Sequence, residues 1–184
     1  MALTKKSMWF HSSDDGVAPQ VVTRKMVASQ GIFMPGAPCY ISAGYVTLCA
    51  VSAGSDAWHG FIVGLANTDT VWPLTAELAV GTEVKVALIA STHQYGVYVC
   101  SGGTATTGGN DSAIAQANIG VSYGLNVSTS AGKIGYVNMD LGNTSDVVIV
   151  EDIMANINPL QHAVADNPGI AIVRFIPSII TATK

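Results

Sequence analysis

The sequence is poor in charge: Asp, Glu, Lys and Arg together make up 11% of its 184 residues. A disordered acidic or basic tail needs high net charge and low hydrophobicity, whereas this chain has a net charge of −4 and 49% apolar residues. Nucleic-acid binding needs clustered Lys and Arg, yet the eight basic residues form no cluster larger than Lys5-Lys6 or Arg24-Lys25. The composition therefore predicts a folded protein without nucleic acid among its partners.

Long hydrophobic runs are also missing, although the mean hydropathy is +0.40. Gly, Asn, Asp, Ser or Thr interrupts each apolar run well before the ~20 residues that a membrane-spanning helix requires. The longest run, 169–180, contains Arg174 and Pro177. The first ten residues lack the apolar core of a signal peptide. We therefore expect a soluble protein that is made in a cytoplasm and has no membrane partner.

Cysteine is scarce, and its odd number excludes a complete disulfide framework. Reduced, mostly buried thiols are the simplest expectation for Cys39, Cys49 and Cys100. The four histidines lie far apart, without the His-x3-His or Cys-x2-Cys spacing of a metal site. The sequence predicts neither a metal ion nor a cofactor.

Catalytic motifs do not occur either. A Gly-x-Ser-x-Gly nucleophile elbow is missing, and no spacing marks a facing pair of carboxylates. The glycines at 102–103 and 108–109 lie in a Thr-rich stretch without the Gly-Lys-Thr ending of a phosphate loop. We therefore expect a protein that is not an enzyme.

What the chain has instead is a series of short β-like segments. Val, Ile, Tyr and Thr dominate them, and turn residues separate them at roughly 8–15-residue spacing, which is typical of a β-sandwich or small barrel. Gly44 can supply the positive φ of a tight hairpin, and residues 83–88 alternate polar and apolar like a half-buried strand. Single helical turns are expected at 75–78 and 113–117. The expected strands cover residues 20–28, 39–42, 45–51, 60–66, 83–90, 95–100, 119–123, 134–138, 146–151 and 169–176.

The expected fold class is all-β, a small barrel or sandwich with an extended N-terminal arm and few or no helices. Residues 1–30 would form the arm and first strand, and 31–100 an N-terminal β-barrel half. A Gly/Thr-rich loop at 101–110 would lead to a C-terminal β half at 111–184. Neither half alone buries much surface, so we expect them to share a core or pack closely, as one sandwich or two barrels.

The neutral surface and a few aromatic residues indicate contact with partners. A domain with so little charge must cover itself with small polar residues or with another protein. Trp9 and Phe10 adjoin the turn-prone residues 12–16, which suggests an anchoring arm. Trp58 and Trp72 are further candidates, either as packing residues or, with tyrosines, as a platform that stacks on sugars.

Two stretches of the chain have a distinctive order of turns and strands. The first contains Pro-Gly-x-Pro, an Ala-Gly turn, Gly-x-x-Val-Gly-Leu-Ala and Gly-Thr-x-Val-x-Val, and the second consists of shorter strand-like segments in the C-terminal half. The segments are 33–48, 60–66 and 78–86, followed by 115–125, 131–138, 147–150 and 169–175. Together they cover about two thirds of the chain, and their order resembles that of head decoration (cement) proteins of tailed bacteriophages. The motifs reflect turns and strands and contain no catalytic residues.

The resemblance implies a structural virion protein on the outer surface of the capsid, made in the bacterial host cytoplasm. Its partners would be the major capsid protein at capsomer junctions and other copies of itself, as a homotrimer. The alternative is a carbohydrate-binding or adhesive tail-fibre module. Under the first hypothesis the arm contacts the capsid or a sister subunit, and deleting residues 1–16 should weaken binding while leaving the fold intact.

Overall fold

A computed structural model describes residues 8–27, 30–49, 58–66, 74, 76–101, 110–127, 137–143, 145–154 and 169–180. Within these residues the fold is all-β, as predicted, with twelve strands and one turn of 3-10 helix at Gln116–Asn118. The strands are β1 (Trp9–Ser13), β2 (Val21–Met26), β3 (Ala37–Ser42), β4 (Tyr45–Leu48), β5 (Gly60–Leu65), β6 (Glu83–Leu88), β7 (His93–Ser101), β8 (Asn110–Asp111), β9 (Ser122–Val127), β10 (Val137–Asp140), β11 (Val148–Ile153) and β12 (Ile170–Phe175).

Five strands close into an N-terminal barrel in the order β2-β4-β3-β5-β6. The β3–β4 hairpin turns through Ala43 and Gly44, both with positive φ, as the sequence predicted for Gly44. The alternation predicted at 83–88 is confirmed in β6, where Val84 and Val86 are buried and Lys85 is exposed. Apolar side chains fill the barrel: Met26, Phe33, Ala37, Cys39, Val46, Ile62, Val84 and Val86.

A second circuit of strands forms the C-terminal barrel. Its order is β7-β10-β9-β11-β12, and antiparallel pairing of β12 with β7 closes it. β1 and the short β8 also pair with β7. The nine residues of β7 thus contact four strands, which makes β7 the central element of this barrel.

The expected division at residue 100 falls at the end of β7, and β7 pairs with strands of the C-terminal half. β1, which the sequence placed in an arm, also lies in this second sheet. The chain therefore enters the C-terminal barrel at β1, builds the N-terminal barrel from β2 to β6, and returns at β7. The Gly/Thr-rich residues 102–109, Thr75 of the expected first helical turn, and Trp72 lie outside the described residues.

An aromatic cluster joins the two barrels. Phe61, on the outer face of β5, packs 5.5 Å from Tyr95 of β7, measured between ring centroids. The ring of Phe175 on β12 lies 5.5 Å from the ring of Tyr95 and 5.5 Å from that of Trp58, measured between centroids. Trp58 lies two residues before β5 of the N-terminal barrel. Aromatic pairs at such spacing add to the stability that their buried area provides. The halves are thus two barrels packed closely through shared aromatic residues.

Candidate functional site: an apolar groove between the barrels

One wall of the groove is the outer face of the N-terminal barrel. Phe61 pairs with Ala87 across β5 and β6, and Ala87 pairs with Val21 of β2, so the three side chains share one face. A β-bulge between Ile62 and Gly64 leaves Val63 as an extra residue with 46% exposure, on the same side as Phe61. Bulges re-aim side chains in this way. The barrel therefore presents an apolar outer surface beside the joint.

The opposite wall is β1. Trp9 lies over Gly96 of β7, where an added Cβ would come within 2.2 Å of the indole ring, and it packs 5.6 Å from Tyr98. Phe10 packs edge-on against His93 at 5.5 Å between ring centroids, yet stays 37% exposed. Since only glycine leaves room for the indole at position 96, the register of Trp9 is fixed by the partner strand.

Between these walls lies a cavity of about 340 Å³. Its size is at the low end of small-ligand pockets, and a side chain or two from a partner would fill it. Residues from both barrels and from β1 line it: Met8, Trp9, Phe10, Pro19, Pro35, Gly36, Phe61, Val63, Ala87 and Tyr95. We call this site the joint groove. Burial raises the pKa of the Tyr95 hydroxyl, so the floor of the groove is neutral at ordinary pH.

Polar contacts hold the end of β1 in place. Arg174 of β12 contacts Asp14 through Nη1 at 2.8 Å and Glu151 of β11 through Nε at 2.6 Å. Ser12 donates to Gln94 of β7 at 2.6 Å, and Gln94 donates to Glu151 at 2.6 Å. Hydrogen bonding to Arg174 lowers the pKa of Glu151, so this carboxylate is charged at neutral pH. We call these five residues the β1 latch.

Two buried histidines lie near the groove and the barrel joint. The Nδ1 of His59 accepts a hydrogen bond from the backbone N–H of Ile41, and its Nε2 is buried without a partner in the structure. Burial lowers the pKa of His59. Burial also lowers the pKa of His93. The negative charge of Asp15 raises this pKa, and the positive charge of Arg174 lowers it. Both imidazoles are therefore kept neutral at pH 7.

The contact residues predicted from the sequence lie in different environments in the structure. Trp9 and Phe10 lie together in one wall of the joint groove. Trp58 is 0% exposed and packs in the core of the C-terminal barrel, so its side chain offers no surface to a partner. Trp72 lies outside the described residues. The structure thus places the Trp58 side chain in the hydrophobic core.

Sequence reasoning missed the barrel side of the groove. Phe61 and Val63 were assigned to a strand, but nothing marked their face as a contact surface. The available signal was that residues 60–66 are apolar at successive positions, which indicates a strand covered on both faces. Ile62 faces the N-terminal barrel's core, while Phe61 belongs to the other core.

Among the described residues, no group of three or more His, Cys, Asp and Glu is placed to hold a metal ion. No helix in this part of the chain has the length and hydrophobicity needed to cross a membrane. All three cysteines are buried, as expected, and burial raises the pKa of the Cys39 thiol to about 12.

The chain was also compared with known proteins. A scan against known protein families finds no family that matches it. A search of curated proteins likewise finds no relative.

Proposed function

We propose that this protein is a capsid decoration protein of a tailed bacteriophage. It binds the exterior of the head at capsomer junctions, as a homo-oligomer with trimeric symmetry, and stabilises the shell. Binding to the assembled shell and not to separate subunits favours assembly by mass action. Repetition over the symmetric shell turns modest single contacts into high avidity.

The observation that carries this proposal is the joint groove with its exposed rim. Phe10 and Val63 are partly exposed on opposite walls of a preformed apolar cavity. Exposed apolar patches of this kind are typical of protein contact sites, and burying one such side chain contributes about 1.5–3 kcal/mol. Because 11% of the residues in the whole chain are charged, its surface carries few charges and costs little to desolvate. We propose that an apolar segment of the major capsid protein inserts into the groove.

The same structure weakens the sugar-binding alternative. That hypothesis used Trp58 as a stacking platform, and Trp58 is enclosed by Phe61 and Phe175 in the barrel core. Stacking on a sugar needs an accessible aromatic face. Four aromatic residues line the groove, Trp9, Phe10, Phe61 and Tyr95, of which Phe61 and Tyr95 are buried, and its other lining residues are apolar.

The test is co-sedimentation of the purified protein with mature shells of its cognate major capsid protein, titrated to saturation. We expect saturation at a fixed ratio that matches one class of symmetry axis. Phe10→Ala should weaken binding about tenfold, because it removes an apolar contact worth roughly 1.4 kcal/mol or more.

Tyr45→Ala is the matched control, since Tyr45 is an exposed aromatic residue on β4 that does not line the groove. It should bind shells like the wild type. Equal losses of shell affinity in both variants would contradict a role of the joint groove in shell binding. Absence of shell binding by the wild type would reject the decoration role, and a glycan array would then test the alternative.

A further inference from the structure

Arg174 joins three distant parts of the chain. Its Nη1 donates to the backbone carbonyl of Ser91 at 2.7 Å and contacts Asp14 Oδ2 at 2.8 Å. Its Nη2 donates to Asp14 Oδ1 at 3.0 Å and to Glu151 Oε2 at 2.9 Å, while Nε donates to Glu151 Oε1 at 2.6 Å. Each carboxylate is thus held by two nitrogens of a planar fork, the geometry that makes Arg–carboxylate pairs specific.

The rest of β1 is held less firmly than a central strand. β1 pairs only with β7 in the described part of the chain, and a bulge between Phe10 and Ser12 interrupts the register. Exposed residues 14–18 follow β1 and lead to Pro19. Edge strands with few neighbours open at lower free energy than strands inside a barrel. The β1 latch lies at the end of β1 nearest this connection, where opening would begin.

We infer that the β1 latch is an acid-sensitive conformational switch that holds one wall of the joint groove in place. At neutral pH, Arg174 keeps β1 docked on β7 and the groove complete. When acid protonates Glu151, Arg174 loses one of the two carboxylates that its planar fork bridges, and the Asp14 contact then holds this end of β1 without the ionic connection to β11. β1 then opens before the barrels do, and the groove loses Met8, Trp9 and Phe10.

Three charged or titratable groups lie around Arg174: Asp14 from the turn after β1, Glu151 from β11 and His93 from β7. Asp15, in the same turn as Asp14, acts on His93 and accepts a hydrogen bond from Thr92 of the chain before β7. Acid removes the negative charge of Glu151 and Asp15 and adds positive charge at His93, which lies near Arg174. These three changes weaken the docking of β1 on β7, so opening becomes more frequent as pH falls. The switch itself stands apart from the proposed function, and only its effect on shell binding rests on that proposal.

Hydrogen exchange of the isolated protein, read by mass spectrometry and corrected for intrinsic rates, tests the switch. At pH 7, Glu151→Gln and Arg174→Gln should each lower protection of amides in residues 9–13 about tenfold, while β9 and β10 keep theirs. In the wild type, the same selective loss should occur on going from pH 7 to pH 3.5. The Glu151→Gln variant should show a smaller change over the same pH interval, because its residue 151 does not titrate.

Arg24→Gln is the matched control, because the Arg24 side chain donates to the carbonyl of its own neighbour Thr23. It removes one positive charge and should leave β1 protection unchanged. Unchanged protection of β1 in Glu151→Gln, or loss of protection in all strands together, would overturn the inference. If Arg174→Gln does not fold, the Glu151 variant and the wild-type pH series still decide it. Shell binding plays no part in these measurements, so failure of the proposed function is seen separately.

Discussion

At the scale of single residues, the groove depends on a close fit between Trp9 and Gly96. A Cβ at position 96 would lie 2.2 Å from the indole ring, so Gly96→Ala must displace Trp9 from β7. We expect the free energy of unfolding to fall by about 1–3 kcal/mol, the usual cost of overpacking. Urea denaturation measures this change. Gly64→Ala, also in a strand but with nothing within 4 Å of the added Cβ, should stay within about 0.5 kcal/mol of wild type. Equal stabilities of the two variants would contradict this account of Trp9.

At the scale of elements, the barrel strands were predictable and β1 was not. Strands such as β6 alternate polar and apolar residues, and this pattern alone predicts a half-buried strand. β1 reads Trp-Phe-His-Ser-Ser, has a bulge, and bonds through Ser12 to a side chain 82 residues away. The sequence predicted a strand over 119–123, whereas β9 covers Ser122–Val127. The polar Asn126 did not indicate a strand, yet it is buried there and donates to Asp140 of β10 at 2.8 Å. Local sequence cannot reveal partners that only the tertiary fold supplies.

The groove was beyond prediction for the same reason. Trp9 and Phe10 were identified as contact residues because aromatic residues beside a polar turn are conspicuous. Phe61 and Tyr95 lie on different strands of different barrels, and only the packing of the barrels brings them together.

The placement of β1 changes what deletion of residues 1–16 should do. The sequence suggested that the fold would survive, but Met8 is buried in the core and Asp14 pairs with Arg174. Removing them leaves a cavity and an unpaired β7 edge. We expect a loss of about 3 kcal/mol or more, seen as a melting temperature lower by roughly 6–12 °C, together with aggregation. Calorimetry would show the lower melting temperature, and light scattering would show the aggregation. An unchanged melting temperature would mean that β1 does not contribute to the stability of the fold.

At the scale of the whole molecule, the resolved pKa shifts of the carboxylates and histidines all predict that acid lowers the free energy of unfolding. His59 and His93 have pKa values below 6.5 when folded, so the unfolded chain binds protons first as pH falls below 6.5. Asp15 and Glu151 have pKa values lowered by hydrogen bonds, so their stabilisation is present above the ordinary carboxyl range and is lost as pH falls through the folded values. We therefore expect stability to decline in two steps, one beginning below pH 6.5 and a second below about 4.5.

The two steps can be separated by substitution. His59→Gln keeps an acceptor for the Ile41 N–H and does not titrate, and combining it with His93→Gln should flatten the urea midpoint between pH 7 and pH 5. The second decline should persist in this variant, because Asp15 and Glu151 are intact. A wild-type midpoint that is constant from pH 7 to pH 5 would mean that neither histidine is protonated more readily on unfolding. Retention of the first step in the double variant would assign it to another group, since the two imidazoles are the buried histidines of the described structure.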